Sequence, residues 1–140
     1  MPLLPQEIVP GAVAILETEP LFSDPRVVRA DDNSPFRSGP FLCVGVKDGL
    51  CAWLTLTTQV DRRGLRLLLR PEWLLEGSET WRKSTQLIND ARKPFIGPLD
   101  VFVTAGANEL PHQPHNRPQV APAGVAAAIA EMRRYGVKAL

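Results

Sequence analysis

Two apolar runs dominate the pattern of the chain. Phe41-Leu42-Cys43-Val44-Gly45-Val46 and Leu50-Cys51-Ala52-Trp53-Leu54-Thr55-Leu56-Thr57 flank Lys47-Asp48-Gly49. Asp-Gly between two strand-like runs is the strongest short-range hairpin cue, because both central residues of a tight turn need positive φ. Upstream, Ile8 to Leu16 is apolar and β-branched around Pro10-Gly11 and reads as a first strand entered through a turn. Downstream, an Arg-rich turn at Asp61-Arg62-Arg63-Gly64 leads into a strand over Leu65 to Arg70, which Pro71 stops. The pattern predicts an antiparallel sheet.

Between the first strand and the hairpin, Pro20, Pro25, Pro35 and Pro40 interrupt a polar stretch, so Glu17 to Pro40 reads as a loop with one short strand at Val27-Val28. From Glu72 to Phe95 the apolar positions fit a helix or further strands, and Thr85 to Ala91 is assigned as strand. A short apolar stretch, Leu99 to Ala107, precedes a Pro/His/Asn-rich connector at Leu110 to Pro118. The alanine-rich segment Ala123 to Tyr135 puts Val125, Ile129 and Met132 on one face and carries Arg133 and Arg134 in its last turn before Gly136, which predicts a C-terminal helix. The class expected is mainly β (α+β), one domain over residues 1–140.

Charge narrows the partners. Sixteen basic side chains against fifteen acidic ones leave no strong field to gather a polyanion from a distance. Local groups remain at Arg62, Arg63, Arg66 and Arg70 and at Arg82, Lys83, Arg92 and Lys93, and each is either a phosphate-binding patch or a solvated surface. Prolines and a glutamate break the apolar start before it resembles a signal peptide, and no run approaches the roughly 20 apolar residues of a membrane span. A cytoplasmic protein without a membrane partner is expected. Cys43 and Cys51 lie in neighbouring apolar strands and read as buried, reduced thiols.

Searches for a glycine-rich phosphate loop, Cys-x-x-Cys, Gly-x-Ser-x-Gly and His-Glu-x-x-His find nothing. His112 and His115 lie three apart in the proline-rich connector without an adjacent cysteine or acidic ligand, so neither a metal nor another cofactor is expected. The hairpin is more informative. A two-residue turn at Asp48-Gly49 sets Thr58 opposite Gly39, with Arg37 diagonally beside Thr58 on one face, roughly 7 to 8 Å apart. Adding Lys47 to the turn shifts the register by one and sends the two side chains to opposite faces.

These residues resemble a family. A proline-gated first strand, Gly39-Pro40 opening a second, Thr57-Thr58-Gln59 ending a third, Gln86 and Asp90-Ala91-Arg92 in a later strand, and Ile96-Gly97-Pro98-Leu99 before the C-terminal section are similar to the MazF/PemK toxins. The resemblance covers most of the chain through short motifs. It implies a small Src-homology-like antiparallel β-barrel with a C-terminal helix, usually a homodimer, that cleaves single-stranded mRNA without a metal and is blocked by a cognate antitoxin. Gly39 stands where the family carries an arginine, with Arg37 as its substitute, and Lys83 stands near another family arginine. Arg37 and Thr58 then become the catalytic candidates, and Thr57, Lys83, Gln86 and Arg92 the RNA-binding ones. Arginine suits the task because its planar fork grips phosphate through two hydrogen bonds.

Two rival readings follow from the same residues. The absent arginine before Pro40 and the balanced charge fit a protein-binding module, either a toxin that poisons a protein target or a mobile-element adaptor. An inert structural subunit is the third. Trp53, Trp73 and Trp81 serve either as stacking surfaces for bases or as core and interface residues.

Overall fold

Asp48 and Gly49 hold φ of 53° and 78°, the double positive pair of a two-residue hairpin turn. They join β2 (Ser38–Lys47) to β3 (Leu50–Thr57), with Lys47 opposite Leu50. The computed structural model describes residues 2–30, 37–60, 64–110 and 115–140. His112, Arg62 and Arg63 therefore lie outside the described residues.

Around this hairpin the chain builds an α+β fold on an antiparallel sheet. β1 (Val13–Glu17) pairs with β2, while β3 shares its far edge between two short strands. β7 (Phe95–Pro98) takes the first half of β3, and β6 (Leu87–Ile88) takes its end and pairs onward with β4 (Leu67–Leu68). A separate two-stranded ladder joins β5 (Leu74–Leu75) to β8 (Gln119–Val120). The helices are α1 (Thr18–Ser23), α2 (Glu79–Lys83), α3 (Leu99–Ala105) and α4 (Pro122–Arg134).

The sheet does not close into the expected barrel. β1 is an edge, met by Pro118 and Glu109 rather than by another strand of the main sheet: Val13 N–H donates to the Pro118 carbonyl and Ile15 N–H to Glu109 Oε2. Both faces are buried instead. Ala14, Leu16, Phe41, Cys43, Cys51 and Trp53 pack on one side with α3 and Leu21 of α1, and Val13, Leu42, Val44, Ala52, Leu54 and Leu56 pack on the other with α4, Leu74 and Val120. A strand buried on both faces reads as a continuous apolar run, which is how β2 and β3 appear in the sequence.

Several sequence expectations are corrected. The start of the segment read as loop forms α1, although Val28 makes a bridge to Ile96. The strand expected over Leu65 to Arg70 shrinks to β4, and that over Thr85 to Ala91 to β6. The first strand begins at Val13 rather than Ile8, and the apolar stretch from Leu99 is helix α3. The C-terminal helix matches its expected span to within one residue at each end. Among the described residues no helix is long and apolar enough to cross a membrane.

Candidate functional site

The register of β2 and β3 decides which candidates share a face. Near the turn the pairing is the expected one, but the ladder shifts between Cys43 and Gly45, where Val44 forms a bulge, and beyond it Phe41 faces Thr55 rather than Leu56. One extra residue on one strand rotates everything past it by a face. Arg37 thus falls in phase with Phe41 and Cys43, while Thr58 falls in phase with Leu54 and Leu56 on the other side. The shared face expected for Arg37 and Thr58 is overturned by that bulge. The tail accompanies it: a Cβ on Gly45 would stand 2.5 Å from the Ala139 carbonyl oxygen, so the chain end lies against bare backbone. Arg37 is exposed, and its carbonyl accepts from the Thr18 N–H at 3.1 Å.

A different group converges. Leu56 faces Ile88 and Thr57 faces Leu87, so the next step of that register sets Thr58 opposite Gln86. Thr58 is exposed, whereas Gln86 is only 8% exposed. Thr57 Oγ1 accepts from the Gln59 N–H at 3.2 Å and shapes the strand end. Arg66 spans the same rim: Nη1 donates to the Gln59 carbonyl at 2.7 Å and Nε to Asn89 Oδ1 at 3.1 Å. Leu67 faces Ile88, so the register sets Arg66 opposite Asn89, in phase with Thr57 rather than Thr58. The two bonds tie its guanidinium to the end of β3 and leave Nη2 without an acceptor among the described residues. In the sequence Arg66 is one of four clustered arginines, and only the contacts of its fork single it out.

Lys83 and Arg92 are engaged elsewhere. Lys83 Nζ lies 2.5 Å from Glu79 Oε1 along α2, an exposed pair of the kind that contributes little to stability. Arg92 donates through Nε and Nη2 to the two oxygens of Asp90 at 2.9 and 2.8 Å, and its own N–H caps Asp90 Oδ1. These Arg92 hydrogen bonds hold the Asp90 carboxyl below its ordinary range, with partial burial opposing them. A depressed folded pKa gives stability that is complete above the unfolded value of about 3.9 and is lost as pH falls through the folded one. In thermal melts, Asp90→Asn should therefore show a shallower fall of Tm below about pH 4 than the parent chain; parallel acid limbs would deny the pair any such role.

Two further clusters are structural. Burial pushes Cys43 up to about 12 and Cys51 up to about 11, so both free thiols are inert at neutral pH. The second cluster, Arg117 with Glu7 and Glu109, is a buried ion network joining β1, the connector and the N-terminal turn at Pro5–Glu7. Burial works against the charge of Arg117, but hydrogen bonds to Glu7 and Glu109 keep its pKa above the ordinary value. His115 is exposed, and among the described residues no three His, Cys, Asp or Glu side chains gather to hold a metal. Comparison with protein-family models, with curated proteins and with solved structures finds no match to this chain in any of the three.

Proposed function

We propose that the chain acts on single-stranded RNA as a toxin of the MazF/PemK kind, cleaving it without a metal at the rim formed by the ends of β3 and β6. The observation that supports this reading is the register that sets Thr58 opposite Gln86, with the guanidinium of Arg66 tethered to the Gln59 carbonyl at the same strand end. In such a cleavage the ribose 2′-oxygen bonds to phosphorus as the bond to the 5′-oxygen breaks, with a proton leaving the first oxygen and another reaching the second. Negative charge grows on the non-bridging phosphate oxygens, and preorganised donors aimed there lower the barrier. Past the last residue of β3 the two faces meet, and there Arg66 Nη2 and the Thr58 hydroxyl supply such donors, so Arg66, tethered at that end, takes the phosphate-holding part that the resemblance gives to Arg37. Gln86 and Thr57 border the RNA path, and Lys83 and Arg92 reach it only by exchanging their carboxylate partners for phosphate. A cognate antitoxin would cover this rim, and the active form would be a homodimer.

Inducible expression with total RNA mapped for new ends tests the proposal. Discrete cuts should appear with the parent chain and slow about 100-fold in Arg66→Ala or Thr58→Ala, while Arg37→Ala cuts nearly as fast as the parent. Intact RNA would end the ribonuclease reading, and a loss confined to Arg37→Ala would move the phosphate contact from Arg66 to Arg37.

The pairing of Lys83 with Glu79 and of Arg92 with Asp90 favours one alternative, a protein-binding module. Two cations already neutralised offer less to a polyanion. Growth arrest with intact RNA would support that reading.

A further inference from the structure

A groove of about 450 Å³ lies at the hairpin end of the sheet, separated from the rim by the length of β3, about 24 Å. The end of β2, the last turn of α4 and the tail from Val137 to Leu140 line it. Each of these three segments contributes one cation. Lys47, Arg133 and Lys138 are all exposed, and none has a carboxylate partner among the described residues. Lys83, Arg92, Arg117 and Arg134, by contrast, are each held in an ion pair. No aspartate or glutamate lines the groove, and counting the Leu140 carboxylate against the three cations still leaves two in excess. In a chain whose charges nearly cancel, that excess is local.

The rest of the lining is aliphatic, and Val46 and Leu140 remain exposed within it. The tail adds backbone groups. Val137 N–H donates to the Met132 carbonyl at 2.9 Å, but beyond it the N–H groups of Lys138, Ala139 and Leu140 have no partner among the described residues. Contact holds the tail against β2 instead, at Gly45, which leaves room for the Ala139 carbonyl.

We propose that this groove docks an acidic, extended peptide segment of a partner protein. Its carboxylates meet Lys47, Arg133 and Lys138, its intervening aliphatic side chains rest on Val46 and Ile129, and its backbone bonds to the tail. Charge and lining together select this occupant. A single-headed lipid anion brings one charge to three cations. A nucleic acid brings charge enough, but no aromatic side chain lines the groove to stack a base. A peptide that alternates acidic and aliphatic residues satisfies both parts of the lining, and pairing along an extended segment adds main-chain hydrogen bonds. The proposal is independent of the RNA reading, since the groove and the rim lie at opposite ends of β3.

The test is titration of the intact chain, by fluorescence anisotropy, into three labelled octapeptides: one alternating glutamate and leucine, one alternating glutamate and serine, and one alternating lysine and leucine. The glutamate/leucine peptide should bind saturably and at least about tenfold more tightly than either of the others, the size of one charge-assisted hydrogen bond. Replacing Lys47, Arg133 and Lys138 together by alanine should cost the same factor or more, with Tm close to that of the parent because all three are exposed and unpaired. Gly45→Ala, whose methyl group displaces the tail, should weaken the same peptide. Equal binding of the two acidic peptides by the parent chain would overturn the proposal, and that comparison needs no variant to fold. Undiminished binding by the triple variant would overturn it as well. Binding of dodecanoate or of a 2′-fluoro oligo-uridine, with no peptide bound, would give the groove to a lipid or a nucleic acid and end the peptide assignment.

Discussion

Replacing Arg117 with alanine is expected to destabilise the protein by about 3–5 kcal/mol, the range found when one partner of a buried ion pair is removed. Arg117 exposes 5% of its side chain and Glu109 1%. The guanidinium donates to Glu7 through Nε and Nη2 at 3.0 and 3.2 Å, and to Glu109 and the Val13 carbonyl through Nη1 at 2.7 and 3.3 Å. Without it the Glu109 carboxylate stays buried against the edge of β1, where its other oxygen holds the Ile15 N–H at 2.6 Å. That carboxylate must then take up a proton or pull away from the strand, and either change loosens the cover over β1. Urea denaturation of Arg117→Ala beside the parent chain measures the loss. Arg117→Lys should recover only part of it, because a single ammonium cannot serve both carboxylates with the geometry of the fork. A loss below about 1 kcal/mol in the alanine variant would mean that the network contributes no more than a surface pair.

The second large effect is expected at Trp53. It is fully buried, its ring stacks on Phe102 with centroids 5.8 Å apart and planes 12° from parallel, and its Nε1 donates to Cys51 Sγ at 3.1 Å. It lies in β3 between Cys43 of β2 and Phe95 of β7, so one side chain ties the central strand to both neighbours and to α3. Trp53→Ala should cost about 3–5 kcal/mol through lost burial and the cavity left behind. Trp53→Phe keeps an aromatic partner for Phe102 and should cost about half as much or less. Equal costs for the two variants would show that the site collapses around either residue and that stacking contributes little.

Elements whose signal is local are legible in the amino-acid sequence alone. Asp48-Gly49 announces its turn because positive φ is a property of the residues themselves. The C-terminal helix announces its end through Arg133, Arg134 and Gly136. The short strands are not legible, since β4 and β6 are two residues each and exist only because β3 offers an edge to β6 and β6 offers one to β4. The candidate site follows the same division. Thr58 and Gln86 can be named from the chain, but their meeting depends on the pairing of β3 with β6. Arg66 gains its place only through bonds to Gln59 and Asn89, seven and twenty-three residues away. Arg117 and Glu109 give no sign of burial, because a charged residue among prolines looks like surface until its partners fold over it.

By itself, then, the sequence determined the hairpin and its turn, the antiparallel habit of the sheet, the terminal helix and the two inert cysteines. Each of these depends on backbone preference or on apolar periodicity within a few residues. Only the tertiary structure decided that the sheet stays open with both faces covered, and that the bulge at Val44 parts Arg37 from Thr58. It alone decided, too, that Gln86 is left with an oxygen that no described residue satisfies. Face, burial and partner depend on pairings between distant segments, and a single inserted residue is enough to change all three.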